Sequence, residues 1–346
     1  MDGLRALAIV AVVWHHTGGS DSHWIILKRG FLGVDLFFLI SGFLIATLIL
    51  RERHATGDVS LLSFYRRRCL RIFPANWLML AIFASIAFLK PNPALRHDLP
   101  FAALYLSNFV VMLSALSITW SLAAEEQFYL VIPALQKYAY RSFPWFLPFL
   151  YVAAVLPTFG WFPSVPAFFK ETTFGPILLG VMLAYVLDDS HGWNFAARLV
   201  GHSVSPALAL VLVLTACAYP ASDISGWPRM TIHFALLTLL ASCVVRERQV
   251  LRPLLTWGPV RRIGVVSYGI YLYHMLALGV MLKAHQTGGR LFFGTLALSW
   301  ISAEVSFRTF EAKFLARKNR AVQPPERNHS SLQLEVTRPG GHRTTG

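Results

Sequence analysis

The sequence predicts an all-α protein: a polytopic bundle of transmembrane helices, with about ten spans and both termini cytoplasmic. Three observations lead there. Of the 346 residues, 55% are hydrophobic and only 14% are charged, whereas a soluble domain carries about 25% charged residues. Mean hydropathy is +0.53, which suits a surface that faces lipid. The net charge of +14 is gathered in short basic clusters between apolar runs, as the positive-inside rule and anionic headgroups favour. That clustering points to the bilayer as partner and away from nucleic acid. Cys69, Cys217 and Cys243 are scattered without a CxxC pair, so neither a disulfide framework nor a thiolate metal site is expected. His15-His16 has no partners at ligand spacing, so no metal and no bound cofactor are expected.

A span needs about 20 apolar residues. The candidate runs in chain order are 5–21, 31–50, 74–90, 100–117, 119–139, 144–160, 173–188, 204–221, 230–245, 264–283 and 290–311. The first begins directly behind Met1 to Arg5 without a small-residue cleavage site, so it reads as a span rather than a removable signal. Loop charge decides how many runs cross. Arg51, Arg53, Arg66, Arg67, Arg68 and Arg71 mark 51–73 as cytoplasmic. Arg246, Arg248, Arg252, Arg261 and Arg262 mark 246–262 likewise, and Arg317, Lys318 and Arg320 place the C-terminus inside. If every run crossed, 246–262 would fall outside. If 100–117 does not cross, all the basic loops lie inside and ten spans remain. Residues 91–118 are therefore predicted as an outer-side or re-entrant segment, with irregular backbone covered by protein. Residues 1–315 read as one membrane-embedded domain. Residues 316–346 are polar, with Pro324-Pro325 and Gly340-Gly341, and read as a disordered cytoplasmic tail.

Ionisable residues inside apolar runs are costly and mark candidate sites. Arg5 and His16 are separated by ten residues, so eleven steps of about 100° return to nearly the same helix face, roughly 16 Å further along. His16 suits a general base near neutral pH, or a hydrogen-bonded structural histidine. Asp35, a short way into the second run, could approach His16 and steady its imidazolium, or pack a helix through a backbone partner. Arg67 and Arg71 are four apart, with Arg68 beside that face if the segment is helical. Such a cluster suits a phosphorylated donor such as a coenzyme A thioester, or lipid headgroups. Glu125 and Glu126 open an apolar run at its outer end, with Ser121, Glu125 and Tyr129 on one face. They face the bundle interior or favour a helix N-terminus. The stretch Ser267-Tyr268-Gly269-Ile270-Tyr271-Leu272-Tyr273-His274 lines a polar path or anchors an interface.

Together Asp2-Gly3-Leu4-Arg5-Ala6 with His16, the Gly33 to Phe43 segment, Arg67 to Pro74, Trp120 to Tyr129 and Ser267 to His274 resemble acyltransferase family 3. These are ten-span bacterial membrane O-acyltransferases that modify surface and exported glycans, nodulation factors and some macrolides. The pieces fall in order across residues 2–274. The resemblance implies that His16 is the catalytic histidine and that Arg67, Arg68 and Arg71, with Arg5, serve the acyl-CoA side. It also implies that Glu125 is the more constant of the paired glutamates. The implied activity is transfer of an acyl group, acetyl in the common case, from cytoplasmic acyl-CoA to a hydroxyl of a glycan or glycolipid in the bacterial inner (plasma) membrane. Asp35 or Glu125 would support the imidazolium. A proton-coupled transporter would share the intramembrane His, Asp and Glu, but two related halves are not visible. O-acylation of a small glycoside or antibiotic is the other alternative.

Overall fold

The computed structural model describes residues 1–160, 174–220 and 224–320. Among these residues every regular element is helical. The principal helices are α1 (Asp2–His16), α2 (Gly33–Thr56), α3 (Leu61–Leu89), α4 (Pro93–Ala103), α5 (Thr119–Tyr138), α6 (Phe143–Val155) and α7 (Phe174–Asp188). They are followed by α8 (Ser190–Val200), α9 (Ser205–Cys217), α10 (Trp227–Val245), α11 (Gly258–Val265), α12 (Ser267–Lys283), α13 (Gly288–Ser306) and α14 (Ala312–Arg320).

Helix ends follow local chemistry. The Ser60 hydroxyl caps α3 by accepting from the Ser63 N–H at 3.3 Å, and the Asn92 side chain caps α4 through the Leu95 N–H at 3.1 Å, with Pro93 following at the first helical position. At the other end of α2, Gly57 takes φ of +80°, the left-handed conformation in which glycine terminates helices without strain.

The core centres on α2 and α7. Phe38, Leu39, Ile40 and Ile45 of α2 and Ile177 of α7 are fully buried. A Cβ on Gly42 would collide with the Ile177 carbonyl, and one on Gly180 with the Leu39 carbonyl. The two backbones therefore touch, the close approach that small residues permit in apolar bundles. Around this pair α1 packs on α2 and α11, α9 on α10, and α12 on α13.

By length and hydropathy three helical stretches are long and apolar enough to cross a membrane, Ile25–Thr56, Leu61–Leu89 and Trp227–Val245. The number rises to five if two bent pairs, α8 with α9 (76°) and α11 with α12 (79°), each make one span. The other apolar helices, such as α6 and α7, are shorter. The run expected at 264–283 is thus broken. The α11 portion lies against the start of α1, where Gly264 meets the Asp2 backbone, and α12 turns away to pack on α13.

Residues 100–117 form no spanning helix. α4 ends at Ala103, and 104–114 is irregular until a 3-10 turn at Ala115–Ile118. One carboxylate organises this stretch. Asp98 accepts from the Leu113 N–H (2.9 Å), the Ser114 N–H (2.7 Å) and the Ser114 hydroxyl (2.6 Å). Burial pushes its carboxyl pKa up, but His97 and these donors outweigh that and hold it below the usual aspartate value. The Gln127 amide of α5 donates to the Tyr105 carbonyl at 2.9 Å and pairs with the Asn108 amide. These bonds tie parts of the irregular segment to the protein, while Leu104, Phe109, Val111 and Leu113 stay exposed.

α13 passes through a π-turn at Phe307–Glu311 into α14. Residues 316–320, expected to begin the disordered tail, continue this helix. The rest of that tail, 321–346, lies outside the described residues.

Candidate active site

α3 starts thirteen residues before the apolar run 74–90, at Leu61, so the arginine cluster is part of a continuous helix. Arg68 and Arg71, three apart, line a cavity of about 90 Å³ with Arg5 of α1. Arg67 is not among the lining residues. It pairs with Glu52 at 2.9 Å, so of the arginines expected to serve the donor it is the one that another carboxylate claims.

The opposite wall comes from α5. Glu125, Glu126, Ser121 and Tyr129 line the same cavity. The sequence put Glu125 at the outer end of its span and the arginines on the cytoplasmic side, on opposite faces of the membrane. The structure corrects this. Glu125 lies six residues into α5, about 9 Å along the axis, while Arg71 lies ten residues into α3, about 15 Å along. Both clusters nonetheless line one cavity rather than opposite sides of the protein. The Arg68 guanidinium sits over the Tyr129 ring, 4.3 Å from its centroid, and the Tyr129 hydroxyl donates to Glu125.

α12 supplies the third wall through Ser267, Tyr268 and Tyr271. The Tyr271 hydroxyl lies 2.9 Å from the Ile118 carbonyl. A carbonyl only accepts, so Tyr271 donates there; Ser121 reaches the same carbonyl at 3.2 Å, and the two hydroxyls lie 2.6 Å apart. One turn further on, the Tyr271 ring is 5.5 Å from that of His274, and His274 is 4.9 Å from His16, centroid to centroid. Arg5 and His16, placed on one stripe by their spacing, thus face the same helix, α12. Arg5 is at the cavity, and His16 lies beyond Tyr271 and His274.

His16 Nδ1 is 3.0 Å from the Val12 carbonyl. Since the carbonyl can only accept, Nδ1 carries the proton. In the neutral ring, Nε2 holds the lone pair. That is the tautomer a base needs, and a backbone group selects it.

Asp35 was expected to do this orienting. The structure does not bring the two together. Asp35 is fully buried, and its carboxylate meets the guanidinium of Arg229 at 2.8 Å and His233 Nε2 at 3.2 Å, both on α10. His233 Nε2 is also 3.2 Å from Arg229 Nε, so its proton decides which neighbour it serves. Arg229 caps the cluster over the Phe31 ring at 5.1 Å. Arg229 and His233 escaped the sequence reading. His233 stood within the apolar run 230–245 and, as an ionisable residue there, was the available signal. His274 had been read only as part of an interfacial or polar stretch.

Among the described residues no group of three or more His, Cys, Asp or Glu side chains could hold a metal ion.

A family model described as an acyltransferase domain matches residues 1–303. A provisionally named O-acetyltransferase of Staphylococcus aureus strain COL is 28% identical over 91% of this chain and 56% of its own length. The O-acetyltransferase OatA of S. aureus strain NCTC 8325 is 27% identical over 90% of this chain and 56% of its own length. The chain thus spans about half the length of the curated relatives it matches. No solved structure matches it. With seven-eighths of its length under the family model, the chain belongs to acyltransferase family 3.

Proposed function

We propose that this chain is a membrane O-acyltransferase that moves an acyl group, acetyl in the simplest case, from cytoplasmic acyl-CoA to a hydroxyl of a cell-surface or exported glycan or glycolipid. The acetyl group is the one that the names of the S. aureus relatives carry. The setting we assign is the bacterial inner (plasma) membrane, with about ten spans and both termini cytoplasmic, on the strength of the basic loops. One observation carries the reading. A cavity walled by Arg5, Arg68 and Arg71 reaches Tyr271, whose ring packs near that of His274, and His274 packs near a histidine held in its base-ready tautomer.

The guanidinium groups of Arg5, Arg68 and Arg71 bind the donor's phosphates. The thioester then extends along Tyr271 toward His16. The acceptor hydroxyl oxygen attacks the thioester carbonyl while its proton passes to His16 Nε2. A C–O bond forms and the C–S bond breaks. The proton on the imidazolium returns to the departing thiolate, so ester and free CoA thiol leave. Glu125, held by Tyr129, balances the arginine charge at the cavity wall.

The test is thioester consumption by purified protein in nanodiscs given acetyl-CoA and a glycan extract of the host envelope. Release of CoA thiol should fall by about 10²–10⁴-fold in His16→Ala, the usual range for loss of a general base, with folded yield unchanged. Full release by a well-folded His16→Ala protein would sink the mechanism. Absence of any acyl-CoA binding would favour a proton-coupled transporter instead.

A further inference from the structure

We infer that the corner between α8 and α9 is a binding site for an anionic phospholipid of the inner leaflet, with exposed arginines for the headgroup and an apolar helix face for the acyl chains. The inference rests on the membrane setting proposed above and is independent of the acyl-transfer chemistry. α9 is apolar along its length and leaves Leu208, Val211 and Leu212 exposed, as a helix against lipid does. α8 meets it at 76°. When α9 runs along the bilayer normal, α8 therefore lies close to the membrane plane. Their junction is tied to the basic 246–252 loop, at the end of the bundle that loop charge assigns to the cytoplasm. The Val250 N–H donates to the Ser203 carbonyl at 3.1 Å, and the Arg246 guanidinium donates to the Gly201 carbonyl at 3.3 Å.

The sides of α8 differ. Ala196 and Val200, four apart, are buried, and the helix packs on α7 and α10. Phe195 and Leu199, also four apart, are 66% and 67% exposed. His191, Asn194 and Arg198 make an exposed polar side. A helix with one apolar and one polar exposed side, turned across the end of a span, suits the interface between headgroups and acyl chains. The apolar surface continues past the helix, since Val204 at the junction and Val250 on the bonded loop are about half exposed. The charge beside it is basic. Arg198, Arg248 and Arg252 are exposed, and Arg246 serves the Gly201 and Arg248 carbonyls. Of the nearby carboxylates, Asp189 caps α8 through the Gly192 N–H at 2.8 Å and Asp188 pairs with His54 at 3.5 Å. Glu247 stays exposed in the loop. A guanidinium grips phosphate oxygens through parallel N–H donors. Free phosphate would satisfy the arginines alone, whereas a lipid also covers Phe195, Leu199, Val204 and Val250.

The test titrates the full chain, purified in detergent, with phosphatidylglycerol, phosphatidylcholine or glycerol 3-phosphate, read by native mass spectrometry. We expect phosphatidylglycerol to bind at least about tenfold tighter than phosphatidylcholine, and glycerol 3-phosphate not to displace it. Arg198→Gln combined with Arg248→Gln should weaken phosphatidylglycerol about 20-fold, the scale of two basic residues at an anionic surface. Phe195→Ser should weaken both phospholipids alike. Arg96→Gln, at an exposed arginine of α4, should change neither. All these positions are exposed, so the variants carry little folding risk. In nanodiscs a photoreactive phosphatidylglycerol should crosslink within residues 193–204 or 246–254. Equal binding of the two phospholipids, displacement by glycerol 3-phosphate, an unaffected double variant or an equal loss in Arg96→Gln overturns the inference. So does a dimer that Phe195→Ser dissociates, because the apolar face then belongs to a second copy. A chain that does not enter nanodiscs at all removes the membrane setting itself, a result distinct from each of these.

Discussion

Two clusters of charge lie inside the bundle, and they differ in how far the protein itself satisfies them. Asp35, Arg229 and His233 answer one another at 2.8–3.2 Å, and Asp35 is fully enclosed. Arg5, Arg68 and Arg71 instead face an open cavity, with two carboxylates on the opposite wall. Arg71 remains exposed to that space. Buried ions are expensive, so a protein closes them with partners or keeps them for something that arrives later. The first cluster is paired within the protein except at the buried His233 Nδ1, which has no hydrogen-bond partner among the described residues, and its work is to join α2 to α10. The second is left open, and its charge is available to a ligand. An intramembrane ion is therefore a weak sign of function until its partners are known.

The largest effect should come from breaking the closed cluster. Asp35→Leu strands Arg229 and should cost about 3–5 kcal/mol of stability, read as a fall in thermal stability and in monodisperse yield. Adding Arg229→Met should restore much of it, because an apolar pair of similar volume replaces the ions at little cost. A stable Asp35→Leu protein that has lost turnover alone would erase the distinction and return Asp35 to the reaction.

The open cluster should respond in binding. Arg68→Ala should raise the KM for acetyl-CoA about 30-fold, near 2 kcal/mol, the scale of a charge-assisted contact. Arg67→Ala, which breaks only a partly exposed pair with Glu52, should change stability by about 1 kcal/mol or less and leave that KM alone. Equal effects of the two substitutions would mean that the donor is bound by a diffuse basic surface rather than by the cavity.

The smallest effect concerns the outer segment. Asp98→Asn keeps one acceptor but loses the charge, and should weaken the clasp on 104–114 by about 1 kcal/mol. Faster chymotryptic cleavage at Tyr105 or Phe109 would report it. In the wild type the sign follows from a carboxyl held below its ordinary value of about 3.9. The stabilisation is complete above that value and is lost as pH falls through the lower, folded-state pKa. Peptic cleavage in the segment should therefore rise only in acid below about pH 4. Cleavage that rises near neutral pH would overturn the assignment of this stabilisation to Asp98.

The sequence carried much of this in local form. The ten-residue gap between Arg5 and His16 reported a shared face because helix periodicity is short-range, and α12 lies along that face. Loop charge excluded 100–117 as a span, and the chain there is irregular. Other features depended on long-range packing. Asp35 finds Arg229 across 194 positions, and no periodicity encodes that choice. Arg67, Arg68 and Arg71 were equivalent candidates until Glu52 engaged one of them. The bend between α11 and α12 falls inside a single apolar run, where hydropathy has no contrast to mark it. The depth of Glu125 was misjudged for a related reason: a run boundary gives the end of a helix, not the level at which its neighbours present their side chains.

The bond from the Tyr271 hydroxyl to the Ile118 carbonyl has a kinetic consequence. Ile118 ends the irregular outer segment, and Tyr271 stands one turn before His274 on α12. On the proposed function, a donor that displaced Tyr271 would loosen the outer segment's hydrogen bond to that helix. An acceptor that reshapes the segment moves the tyrosine. Under the proposed acyl transfer, donor and acceptor binding would be coupled through this bond, and reciprocity would make that coupling equal in both directions.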